Sequence, residues 1–333
     1  MTKALDIGYR HVKVCAPSGQ PQVYDSLISD IIGRTAPVLN KKSALIEYLE
    51  PNNASNEMLV GKRWIIGSSA RNMGNYKQAA ISDKVDIALK LALPAFQPSP
   101  DGKPIRISTL CTSLPDPERN AAALVTALQG QHRYKRNGVE IDLTIETVDI
   151  QPEGIGSYWL CLHHGLLVTG SATGILDLGG RTANLTLVDE DGEIIPDSRL
   201  VYATGGTYSL AAMIAADPRL STALKDVPKT DVLLDAIAAG STHYAQTGIS
   251  FGDFYPDYLQ QWFQGILGEL QTRWQRYFHR IGKVLVTGGS APLVKPLIAG
   301  NPYFQIVPHS QLANCAGLLY RPGLHTPSLK VVA

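Results

Sequence analysis

Two aspartates sit where buried strands should carry apolar side chains. In "ALDIGYRHVKVCAPSG", residues 4–19, Asp6 precedes Gly8 by two positions; in "GILDLGGRTANLTLVDEDG", residues 174–192, Asp177 precedes Gly179 by two. Both copies read apolar residue, Leu, Asp, apolar residue, Gly, then an alternating stretch and a turn. Glycine lets the backbone turn sharply, and the N–H groups that follow can converge on one anion. Two unpaired carboxylates facing each other resist joint ionisation, so a divalent cation held between them accounts for the acids. Alone, "GGRT" reads equally well as a hairpin turn with a helpful threonine. The second copy, and a third glycine pair after an apolar strand in "VLVTGGSAP", favour phosphate-clasping hairpins.

The elements that must position these residues alternate between strand and helix, which gives an α/β class. Residues 4–16 read as two strands joined by a tight turn at Gly8–Arg10. "PIRISTLCTSLP", 104–115, reads as one buried strand, followed by a capped helix that Gly130 closes. "VEIDLTIETVDIQPEGIG" alternates and breaks at Pro152–Gly154, and a helix over about 156–169 leads into the second aspartate strand. "SDKVDIALKLAL", 82–93, has a serine cap and a helical stripe. Gly205 and Gly206 open a helix over 206–217. The longest helix is expected over 256–282, with Leu259, Trp262, Phe263, Ile266, Leu270, Trp274, Phe278 and Ile281 on one face. At about 1.5 Å per residue it would run about 40 Å. "FGDFYPDY", 251–258, reads either as an exposed aromatic contact or as core at the start of that helix.

At 333 residues the chain has room for two lobes, and 44% apolar with 18% charged residues is ordinary for a globular protein. A net charge of +1 supplies no global field toward nucleic acid, so direct nucleic-acid binding is not expected. Four scattered cysteines form no CxxC pair and no disulfide framework, and indicate a reducing compartment. "CLHH", 161–164, crowds a thiol and two imidazoles, but no partner cluster follows it, so packing is the expected role. No signal pattern opens the chain and no apolar run approaches the roughly 20 residues of a membrane span, so a cytoplasmic protein without membrane contact is expected. A P-loop, a full dinucleotide fingerprint and a GxSxG elbow are all missing.

The ordered motifs resemble the actin, sugar-kinase and heat-shock-chaperone ATPase superfamily over almost the whole chain. "LDIGYRHVKV" resembles its first phosphate motif through Asp6, Gly8 and Lys13, with Tyr9 in the loop. "LDLGGRTANLTLV" resembles the second through Asp177, Gly179, Gly180 and Thr182, with Arg181 in the loop. "VLVTGGSAPLV" resembles the adenosine motif through Gly288 and Gly289, followed by Ser290; Gly205 and Gly206 complete the expected nucleotide contacts. "IQPEGIGSYWL" and "SQLANCAGLLY" resemble the two connecting segments, with Ala313, Ala316 and Gly317 allowing close packing in the second. The resemblance implies an actin-like two-lobed ATPase fold with a nucleotide cleft between the lobes. One lobe is expected over 1–155 plus 306–333 with an insertion at about 25–100, the other over 156–305 with an insertion at about 207–255. It implies ATP or GTP as nucleotide, Mg²⁺ held largely through water by Asp6 and Asp177, and Glu153 as the group that positions attacking water. A solvated turn acid is the competing reading of Glu153. Tyr9, Arg10 and Arg181 depart from the small residues common in these loops and bear on hydrolysis rate and nucleotide preference.

The compact length and the "PEG" segment look most like the plasmid-segregating ParM group of bacterial actin-like proteins. That implies self-association into filaments and a DNA-binding adaptor as partner. A small-molecule kinase of the same fold is the alternative, although no acceptor-site carboxylate motif is evident. A non-filamentous ATPase is a further one, although no long substrate domain follows. A membrane-bound shape-determining actin would need an amphipathic terminal anchor, and none is evident.

Overall fold

The alternation at the start of the chain folds into a hairpin whose register pairs Ala4 with Cys15 and Asp6 with Lys13. The computed structural model describes residues 1–33, 35–78, 85 and 87–324. These fall into two compact units, residues 1–164 with 312 onward, and residues 165–311.

The first unit holds two sheets. One orders its strands Val148–Pro152, Thr109–Leu114, Thr2–Ile7, His11–Cys15, Gln22–Asp25. The first three run parallel and the last two antiparallel to their neighbours. The other, seven-stranded, runs Lys77–Gln78, Leu27–Asp30, Arg63–Ile66, Ala44–Glu50, Gly130–Arg136, Val139–Ile145, Ile105–Ile107. Leu5, Ile7, Val12 and Val14 join Tyr48, Trp64, Phe96 and Tyr134 in one continuous core.

The stretch read as one strand over 104–115 is two strands in different sheets. Ile105–Ile107 belongs to the seven-stranded sheet and Thr109–Leu114 to the five-stranded one. Ser108 makes the switch, its N–H bound to the Met1 carbonyl at 2.8 Å. A run of apolar residues signals burial but not which sheet buries it. Of the helix expected over 82–93, Ala88–Ala92 is helical; Ser82, Asp83, Lys84 and Asp86 lie outside the described residues. Helix Pro117–Leu128 begins as its sequence dictates, with Asp116 accepting from the Arg119 N–H and proline in the first turn. Helix Ile155–His163 meets the last helix, Ser310–Gly317, at a point where neither can carry a side chain. A β-carbon on Gly317 would lie 1.7 Å from the Gly156 carbonyl oxygen.

The second unit repeats the first unit's five-stranded plan. Its order is Phe304–Ile306, Ile281–Thr287, Ala172–Leu178, Ala183–Val188, Leu200–Tyr202, with two parallel pairings and then two antiparallel ones. The duplicated aspartate motif therefore occupies the equivalent central hairpin in each sheet. The long helix is shorter than its pattern suggested. It is α-helical over Tyr255–Trp274, about 30 Å, then tightens to a 3₁₀ segment over Gln275–Arg280, and Ile281 is already strand. Phe278 is exposed, so the stripe ends at Trp274. Trp274 is fully buried and donates its indole N–H to the Ser198 carbonyl at 2.9 Å.

Phe251 and Phe254 are buried and Arg219 stacks on the Phe254 ring, so the phenylalanines of "FGDFYPDY" are core, while Tyr255 and Tyr258 stay partly exposed. In "CLHH", Cys161 is buried and His163 stacks on Tyr320 at a centroid distance of 4.1 Å. Among the described residues no group of three or more His, Cys, Asp or Glu could hold a metal ion. No helix among them is long and apolar enough to cross a membrane.

Candidate functional site

In the second unit, half-buried Asp177 is the penultimate residue of the central strand, paired across the sheet with Asn184 and Thr287. The turn beyond it closes when the Gly179 N–H donates to the Thr182 carbonyl at 2.9 Å. The first turn of helix Thr207–Ala215 docks on that hairpin: Thr207 N–H reaches the Gly179 carbonyl at 3.2 Å and Tyr208 N–H the Gly180 carbonyl at 2.9 Å. This approach requires glycine. A β-carbon on Gly206 would stand 2.2 Å from the Arg181 carbonyl carbon, and one on Gly205 2.6 Å from Ala183 Cβ. The Arg181 guanidinium lies over the Tyr208 ring, 4.3 Å from its centroid.

The loop after strand Ile281–Thr287 closes on the same point. Gly288 has φ +90°, and a β-carbon there would be 2.4 Å from Asp177 Oδ1. Its N–H donates to the Ser310 carbonyl at 3.1 Å. Ser290 N–H donates to the Leu178 carbonyl at 3.0 Å, its hydroxyl donates to the Gly179 carbonyl at 3.1 Å, and it also meets the Thr207 hydroxyl. Gly289 is unhindered, with only Gln311 Cγ at 4.0 Å. The structure therefore brings together Asp177, Gly179, Gly180, Arg181, Thr182, Gly205, Gly206, Gly288 and Ser290, from segments more than a hundred residues apart. The sequence reading missed Thr207 here, because only tertiary contact sets it against Ser290.

In the first unit, buried Asp6 accepts from Lys13 Nζ at 2.7 Å across the hairpin. The Gly8 N–H closes the turn on the His11 carbonyl at 3.0 Å, and a β-carbon on Gly8 would lie 2.9 Å from that oxygen. Ser26 straps the turn: its hydroxyl donates to the Gly8 carbonyl at 2.6 Å and its N–H to the Arg10 carbonyl at 2.9 Å. The Tyr9 carbonyl accepts from the Gln78 side chain at 3.2 Å. Glu153 follows strand Val148–Pro152, its N–H bound to the Leu114 carbonyl at 2.9 Å. It is buried, unlike a solvated turn acid, and Gly154 at φ +88° starts the next helix. Behind it, Asn314 accepts from the Gly156 N–H at 3.1 Å and donates to the Ser113 hydroxyl at 3.0 Å. No sequence signal marks Ser26, Ser113 or Asn314, whose partners lie 18 to 201 positions away.

Magnesium keeps most of its water and needs only one or two carboxylates beside phosphate oxygens. Asp177, half-exposed at the foot of a glycine turn, fits that demand. Asp6 has Oδ2 engaged by Lys13, which leaves its other oxygen for a water-mediated contact.

Residues 4–156 match the family model of the actin-like proteins' N-terminal domain. Among solved structures, an archaeal actin homolog, Ta0583, matches 96% of this chain and 98% of its own at TM-score 0.76 and 16% identity. Its complex with ADP matches at TM-score 0.74 and 15% identity, over 95% of this chain and 97% of that one. A ParM from Clostridium botulinum, solved as a 15-stranded filament, matches at TM-score 0.73 and 17% identity, over 96% and 98%. No curated protein matches the chain.

Proposed function

We propose that this chain, whose residues 4–156 match the actin-like N-terminal domain and whose fold matches an archaeal actin homolog, is a filament-forming ATPase of the ParM kind. The observation that carries the reading is the second unit's cluster, where three glycine contacts gather an aspartate, a backbone turn and a helix start at one point. Backbone donors around 179–182 suit nucleotide phosphates, and the exposed backbone at Gly289, anchored from behind by buried Ser290, suits the nucleoside. Asp177 of the second unit and Asp6 of the first are the carboxylates that would hold Mg²⁺ through water, and the ion would supply charge neutralisation to nucleotide phosphates. In the first unit the Gly8–Arg10 turn and Lys13 serve phosphate, and Glu153 positions the attacking water. The archaeal homolog crystallised with ADP supports nucleotide binding, and the Clostridium botulinum ParM filament supports self-association.

In this reading nucleotide binding favours assembly and hydrolysis loosens it, since differential affinity for the nucleotide shifts the population of the assembling state. The filament segregates plasmid DNA in the cytoplasm through a DNA-binding adaptor. Sedimentation and light scattering with ATP, GTP, ADP and a non-hydrolysable ATP analogue test it. Polymer with triphosphate and analogue, and loss of polymer as diphosphate accumulates, is the expected result. A chain that stays monomeric at high concentration with every nucleotide and phosphorylates a small molecule is a kinase instead.

A further inference from the structure

A second polar feature lies on the first unit, apart from the aspartate hairpin's turn. The edge strand Gln22–Asp25, the residues leading into strand Ala44–Glu50 and the chain around Pro94 enclose a cavity of about 210 Å³. Three cationic residues line it, Lys41, Lys42 and Arg136, and no acidic residue among the described ones does. The chain's net charge is +1, so three uncompensated cations at one cavity are a local concentration rather than a share of a basic surface.

Arg136 is the informative member. It is half-buried at the end of strand Gly130–Arg136, and its Nε donates to the Pro94 carbonyl at 3.2 Å. Among the described residues neither it nor Lys41 or Lys42 has a carboxylate partner. Burial pulls the guanidinium below its ordinary range, as for a cation short of water and of a counter-ion. The Lys42 charge reaches His11 as well, where it helps hold the imidazole neutral. Tyr24 forms part of the wall, and its hydroxyl is committed to the Leu91 carbonyl at 2.6 Å. The rest of the lining, Gln22, Ser43 and Gln97 among apolar neighbours, is uncharged, so the unmet demand is for negative charge.

We propose that this cavity binds a small phosphate-bearing anion, through the Arg136 fork and the ammonium groups of Lys41 and Lys42. A planar guanidinium matches two oxyanion oxygens, and flexible lysines add point charges around them. Three cations match a multiply charged phosphate better than a single carboxylate. The volume falls below the roughly 300 Å³ at which drug-sized ligand pockets begin, so it suits a pyrophosphate-sized group rather than a whole nucleotide. The site is independent of the nucleotide reading.

Calorimetric titration with inorganic pyrophosphate tests it, on full-length protein held in excess non-hydrolysable ATP analogue at low ionic strength. One equivalent should bind. Arg136→Gln and, separately, Lys42→Ala should each weaken binding about tenfold or more, the loss expected for one charged hydrogen bond. Lys42 is exposed, so its variant reads the site even where Arg136→Gln fails to fold. Raising salt should weaken binding further. No binding at millimolar pyrophosphate, or unchanged affinity in the Lys42 variant, overturns the proposal. So does binding that the analogue abolishes, which would assign the anion to the nucleotide site. Assembly lost in Lys42→Ala without any pyrophosphate binding would make the cavity a contact for an acidic side chain of a neighbouring protein, and also overturns it. If the analogue itself does not bind, the nucleotide reading fails while the pyrophosphate isotherm still reads this cavity.

Discussion

The carboxylate of Asp177 packs directly against the backbone of Gly288, so closely that a β-carbon there would stand 2.4 Å from Oδ1 and 2.3 Å from the Leu178 carbonyl oxygen. The two residues lie 111 positions apart on parallel strands, where Asp177 is in register with Thr287. Any side chain added at Gly288 must therefore displace the Asp177 carboxylate.

Gly288→Ala should damage nucleotide binding and cost about 1–3 kcal/mol of stability, from the left-handed backbone alone. Gly289→Ala, next in sequence, meets only Gln311 Cγ at 4.0 Å and should be nearly silent in stability. Thermal unfolding and nucleotide titration of the pair check this. Equal tolerance of both would show that the loop gives way.

Lys13→Met should destabilise the first unit by about 3–5 kcal/mol, because it strands a buried carboxylate. Asp6→Asn combined with Lys13→Met should recover most of that loss, since no charge is then left unpaired. Denaturant unfolding of the single and double variants gives the coupling energy.

Asp177→Ala should abolish magnesium-dependent nucleotide effects while leaving the fold intact, because Asp177 is half-exposed and outside the core. Glu153→Ala should keep nucleotide affinity and lose roughly 10²- to 10⁴-fold in hydrolysis, as for a positioned acid–base group. Its polymers should then outlive those of the unmodified chain. A phosphate-release assay run beside sedimentation reads both. Unchanged turnover in Glu153→Ala would return that residue to a structural role.

His11 gives a pH signature. Burial is the main cause that pulls its pKa down to about 4, against the opposing pull of Asp25 at 3.6 Å. Below the unfolded value of about 6.5 the unfolded chain takes up a proton that the folded chain refuses. This site's contribution is therefore present above pH 6.5 and is lost as pH falls from there toward 4, by about 3 kcal/mol in all. His11→Gln should flatten that part of the stability–pH curve. A variant with an unaltered slope would exclude His11 as its source.

The acids and glycines at 6–8, 177–182 and 288–290 are legible because chemistry restricts residue type at those positions: carboxylates inside apolar strands have few structural uses. Their supports are not legible. Ser26 beneath the Gly8 turn and Asn314 behind Glu153 are ordinary polar residues until the chain folds them into place. Hairpins and helix starts follow from local periodicity and capping, hence the agreement at residues 4–16 and at Asp116. The long helix ran over because Phe278 keeps the helical spacing while pointing into solvent. The run 104–115 misled for a different reason, since sheet membership is a long-range pairing that one strand's composition does not encode.

That run has a further consequence. Ile105–Ile107 continues into Thr109–Leu114, and beside it Val139–Ile145 continues into Val148–Pro152, so two neighbouring chain segments each pass from one sheet of the first unit to the other. Backbone hydrogen bonds stitch the crossing, Glu146 N–H to the Ile107 carbonyl at 2.9 Å and Leu110 N–H to the Thr147 carbonyl at 2.8 Å. Neither sheet can open there without pulling on the other's strands. In hydrogen–deuterium exchange, the central amides of both sheets should accordingly share one opening free energy and exchange together as a single foldon.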